Sequence, residues 1–71
     1  MNREIAEAML VQLMVCSSQL NQCAQLAKDH CDEVEFDRIR DGVAKVMGYM
    51  YYDLMRLIFE QYHDLVPDEF K

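Results

Sequence analysis

Hydrophobic residues recur along this chain at helical intervals, and in one stretch there are too many for a single helix face. Projected at about 100° per residue, Phe36, Ile39, Val43, Val46, Met47, Met50, Leu54, Leu57 and Ile58 fall in one arc, an ordinary core stripe. Ala44, Gly48, Tyr51, Tyr52, Met55, Phe59 and Tyr62 fill the adjacent arc, which carries Glu33, Asp37, Arg40 and Asp41 in the preceding turns. Lys45, Tyr49, Asp53, Arg56, Glu60 and His63 make up the third. The pattern predicts a helix with one buried face at its start and two apolar faces further on.

The first half of the chain reads differently. Ala6, Met9, Leu13, Cys16, Leu20, Cys23, Ala27 and His30 recur at alternating three- and four-residue steps, a heptad seam of mostly small side chains. Leu10, Val11, Met14 and Val15 stray outside it. Asn2 suits an N-cap, with Glu4 and Glu7 near the positive end of the helix dipole. Asp32 followed by Glu35 has the form of a capping box with an acidic cap, and Cys31 and Phe36 are placed as a hydrophobic staple. Lys28 and His30 suit the negative end of the preceding helix.

These signals predict one all-α domain over residues 1–71: helix one at about 2–30, a turn at about 31–32, helix two at about 33–63 and a tail at 64–71. Leu65, Val66 and Phe70 are expected to fold back over the open end or to fray, since Pro67 stops any helical continuation. A single continuous helix is the alternative, disfavoured by the charge-dense run from Asp29 to Asp41. A short turn between long helices makes an antiparallel hairpin. Centred on Cys31 and Asp32, it sets residues 10–15 beside residues 48–53 and brings both surplus apolar surfaces to the same end. The expected contact patch is Leu10, Val11, Met14, Val15, Ala44, Gly48, Tyr51, Tyr52, Met55, Phe59 and Tyr62. One partner helix cannot cover two faces, so a homodimer or higher homo-oligomer is expected, the hairpin pairing into a four-helix bundle.

Composition narrows the function. With 71 residues, 52% of them hydrophobic and 28% charged, the chain is neither disordered nor large enough to bury a deep core. The net charge of −6 leaves no basic stripe for nucleic acid or an anionic membrane surface. The uncharged run from Ala8 to Ala27 has the length of a membrane span. Gln12, Ser17, Ser18, Gln19, Asn21, Gln22 and Gln25 would nevertheless be costly in hydrocarbon. The start MNREIAEA lacks the positive region of a signal peptide. Cys16, Cys23 and Cys31 stand too far apart on one helix for disulfides. They are expected as free thiols packed in the core, in a cytoplasmic protein.

Candidate chemistry is thin. Glu60 and His63 have the Glu-x-x-His spacing of carboxylate-bridged di-metal bundles, and Glu4 or Glu7 would lie near them in an antiparallel register. Glu60 and His63 project on the polar arc, however, so no metal or cofactor is expected. The cysteines lack the close pairing of a zinc site, and no nucleophile–base pair can be named. No enzyme is expected. Tyr49, Tyr51 and Tyr52 suit an amphipathic interface belt better than a base-stacking platform. The expectation is a small non-catalytic protein acting through protein–protein contact. An inhibitor, immunity or adaptor protein meeting a basic partner through the acidic turn is one alternative, and a carboxylate/His metal-binding bundle at Glu4, Glu7, Glu60 and His63 is the other.

Overall fold

The structure, a computed structural model, describes residues 1–67 as two antiparallel helices joined by a short turn. The first helix, α1, spans Arg3–His30. Asn2 caps it, its side-chain oxygen accepting the Ile5 N–H at 2.9 Å. The break expected near residue 31 is present. Cys31 (φ −107°, ψ 162°) and Asp32 (φ −72°, ψ 172°) are both extended. The chain therefore reverses with no left-handed residue and needs no glycine there. Asp32 then caps the second helix, its Oδ1 accepting the Glu35 N–H at 2.8 Å. That bond satisfies one of the otherwise orphaned first-turn donors.

The second helix has three parts. An α-helical stretch, α2 (Glu33–Tyr49), runs into a π-helical turn (Met50–Met55) and then into α3 (Arg56–Gln61). The backbone stays right-handed through both junctions, and the Arg56 N–H donates to the Tyr51 carbonyl, a five-residue step. Tyr62 leaves the helix (φ −135°, ψ 82°), two residues before the expected end, and a 3₁₀ turn covers His63–Leu65. Leu65 and Val66 fold back against the core as expected, while Phe70 lies outside the described residues.

The core is small and lies at the open end, away from the turn. Ala6, Met55, Ile58 and Phe59 are buried together, with Leu10, Leu13, Met50, Tyr62, Leu65 and Val66 packed against them. The molecule is a rod of 45 × 20 × 16 Å. Its long dimension is set by the length of α1, 28 residues rising about 1.5 Å apiece to roughly 42 Å.

The buried stripe differs from the expected one on both helices. On α1, Ala6, Leu13, Leu20 and Ala27 face inward as expected, but their companions are Leu10, Ser17, Ala24 and Cys31 instead of Met9, Cys16, Cys23 and His30. The seam has rolled toward the opposite flank, so Cys16 and Cys23 are exposed and not core thiols. On the second helix the inward positions run Phe36, Ile39, Val43, Met47, Met50 and then Met55, Ile58, Phe59, Tyr62. The five-residue step from Met50 to Met55 is the π turn. An unbroken α-helix would have continued the stripe through Leu54, Leu57, Ile58 and Gln61. The extra residue exchanges that arc for one containing Phe59 and Tyr62, which bury more area and end the stripe on an aromatic instead of an amide.

Candidate interaction surface

Rolling both stripes changes which apolar residues remain in solvent. Met55 (5% exposed) and Phe59 (6%), expected at an intermolecular contact, are buried within the chain. Leu10, Gly48 and Tyr62 are half-buried, and Val11, Met14, Val15, Ala44, Tyr51 and Tyr52 remain exposed. Conversely Val46 (50%), Leu54 (50%) and Leu57 (51%), expected in the core, stand half open to solvent. A Cβ added to Gly48 would meet nothing within 4 Å, so no other helix of the chain packs closely at this glycine.

The seam between the helices opens as a groove on each broad side of the hairpin. On the front, one cavity is lined by residues including Met9, Leu13, Leu54 and Leu57. A second is lined by Leu13, Cys16, Val46, Tyr49, Met50, Asp53 and Leu54. They share Leu13 and Leu54 and so form one continuous front groove. The back groove is lined by Met14, Ser17, Asn21, Met47, Tyr51 and Met55. Across the seam, the Ser17 hydroxyl donates to the Met50 sulfur at 3.5 Å, a weak bond to a weak acceptor. Tyr51 stands edge-on to Tyr52, with ring centroids 5.4 Å apart, and 6.2 Å from Phe59. The back face is thereby tiled with rings, while the front face is mostly aliphatic and open, with Tyr49 at its edge.

A clasp with no signature in the sequence pattern closes the open end. Arg3 forks onto Asp64, with Nη1 to Oδ1 at 3.1 Å and Nη2 bonded to Oδ2. Its Nε also donates to Glu7 at 3.1 Å, and its guanidinium lies 5.8 Å from the Tyr62 ring centre. The hydrogen bond to Asp64 is the main cause holding the Arg3 guanidinium above its ordinary pKa. The Tyr62 hydroxyl donates to the Met1 carbonyl at 2.9 Å. No spacing rule could have paired Arg3 with Asp64. They meet only because the tail turns back after Gln61.

The sequence-level metal candidates are not gathered. Glu7 is engaged by Arg3 and Glu60 by Arg56 at 3.0 Å, both on the solvent side. No group of three or more His, Cys, Asp or Glu side chains among the described residues could hold a metal ion. Glu4 and His63 are exposed at the same end without forming such a group. At the turn, Asp37 lies 3.4 Å from Arg40 and Asp29 accepts from Gln25 at 3.0 Å, so part of the acidic run is already engaged locally. Among the described residues no helix is long and apolar enough to cross a membrane. Comparison with protein-family models, with curated proteins and with solved structures finds no match, so the surface is read from its own chemistry.

Proposed function

We propose that this chain is a non-catalytic helical protein that works through protein–protein contact, first of all with a second copy of itself, as a four-helix bundle of two hairpins. The observation that carries the reading is an excess of surface. A compact monomer of 8.4 kDa exposes roughly 4,600 Å², whereas this chain exposes 5471 Å². The difference, roughly 900 Å², is comparable to the ~800 Å² each partner contributes to a standard interface. Shape agrees with area: the Cα radius of gyration is 14.4 Å, against ~11 Å for a compact domain of this length. With Ala6, Ala27, Met55, Ile58 and Phe59 as the buried residues among those described, the lone hairpin has little core to set against the entropy of ordering two long helices. Pairing hairpins supplies the missing burial. Three free thiols suit a reducing, cytoplasmic setting for this assembly.

Sedimentation equilibrium over a wide dilution series tests the reading. Dimers that dissociate on dilution with parallel loss of helicity are the expected result. A chain that stays monomeric and fully helical at every concentration would remove its basis.

A further inference from the structure

We infer that the front groove, lined by Met9, Leu13, Cys16, Val46, Leu54 and Leu57, is the seat of the second copy. This deepens the self-association reading and rests on it. It places the contact on the opposite broad face from the tyrosine-rich surface that periodicity alone points to.

Three features single out the front. Its groove is continuous, and from Val46 to Leu57 it follows the second helix for about 16 Å at ~1.5 Å per residue. Its walls are carbon and sulfur, with Val46, Leu54 and Leu57 each about half exposed and Met9 39% exposed. These are branched or flexible apolar side chains standing proud of a monomer, the kind that fill a domain core, which obligate interfaces resemble. The back face also leaves Met14 (38%) and Tyr52 (64%) in solvent, but along its groove Met55 is buried and Tyr51 packs its ring against Phe59, so the open aliphatic side chains of the second helix lie at the front.

Charge selects the occupant. The chain carries a net −6, so two copies repel unless their contact avoids the carboxylates. Among the described residues Asp53 is the charged residue lining the front groove. A basic partner would find almost nothing there to pair with. A second hairpin presents the same neutral surface in return, which a two-fold axis requires of a self-complementary contact. Cys16 lies in this groove and Cys23 outside it, although both are exposed on α1. The two thiols stand on the same side of α1, seven residues or about 10 Å apart, so Cys16 reports whether the front groove is covered and Cys23 marks how far toward the turn the contact reaches.

The test combines charge insertion with thiol labelling on the full chain. Val46→Glu and Leu57→Glu, at half-exposed positions outside the buried cluster of the hairpin, should each raise the dimer dissociation constant about 30-fold or more. Met14→Glu and Tyr52→Glu on the other side should leave it within a few-fold. In the wild type, maleimide labelling of Cys16 should slow as concentration rises while Cys23 keeps its rate. If the wild type dimerises but Met14→Glu or Tyr52→Glu dissociates it and Leu57→Glu does not, the front-face assignment is overturned and self-association stands. If the wild type never dimerises, both fail. Because helicity is expected to follow pairing, each variant is also measured at high concentration: one that regains wild-type circular dichroism together with the dimer mass has lost affinity and not the ability to fold.

Discussion

At the end of the hairpin where the termini meet, Ala6, Met55, Ile58 and Phe59 are buried and the folded-back Leu65 and Val66 cover them. At the end where the helices are covalently joined, Ala27 is the buried residue, and α2 buries none. One end is held by apolar burial, the other by a cap and a two-residue turn. Connectivity and burial thus stabilise opposite ends of the same rod. The turn makes pairing of the helices cheap in entropy, but the contacts that reward pairing lie far from it along the chain. Amides in α3 and the first turns of α1 should then exchange more slowly than those in the first half of α2, despite lying beside the termini.

The largest expected effect concerns the phase of the helix that carries the core. Deleting Gln19, exposed in the middle of α1, rotates Leu20, Ala24 and Ala27 by about 100° away from Ala6 and Leu13. It should abolish cooperative unfolding. Deleting Tyr52, within the π turn and exposed, should be tolerated, because a regular α-helix with one residue fewer keeps Met55, Ile58 and Phe59 inward. Thermal and urea unfolding of the two deletions decide the matter, and equal damage from both would mean the π turn is not a one-residue phase correction.

Truncation within the two ends comes next. Ile58→Ala, at a position 1% exposed, should cost about 2–5 kcal/mol, enough to unfold an isolated hairpin. Leu20→Ala, half-buried toward the turn, should cost well under half of that. Equal losses in urea titrations would erase the contrast between the ends. At the turn itself, Asp32→Ala removes the cap bond to Glu35 and should cost about 1 kcal/mol, with faster exchange confined to the first turn of α2. Arg3→Ala should have the smallest effect, because its ion pairs are solvent-exposed and screened by salt. Its signature is local: faster amide exchange around Tyr62 at low salt, fading as salt is added.

Several features were legible without coordinates because they depend on neighbours in sequence. Asn2 and Asp32 cap through bonds spanning three residues, so their side chains announce themselves in a linear text. The hairpin, its break near residue 31 and the return of Leu65 and Val66 follow from the same local rules. The surplus of apolar surface was also visible, as too many large side chains after Ala44. Its location was not. Two adjacent arcs of the second helix are both apolar, so hydrophobic periodicity gives two nearly equal answers.

What the sequence by itself determined is the all-α hairpin, its two caps and the presence of more apolar helix face than one fold-back covers. Only the tertiary structure decided which face goes inside. Packing Phe59 and Tyr62 against α1 selected a π turn at Met50–Met55, and that one-residue shift moved Met55 and Phe59 inward and left Leu54 and Leu57 outside. On α1 the same docking chose Leu10, Ser17 and Ala24 over Met9, Cys16 and Cys23. The physical reason is that a helix's phase relative to its partner is a property of the pair. Each side chain's inward or outward direction is fixed by what the opposite helix offers it, and a single strand of text carries only one half of that contact.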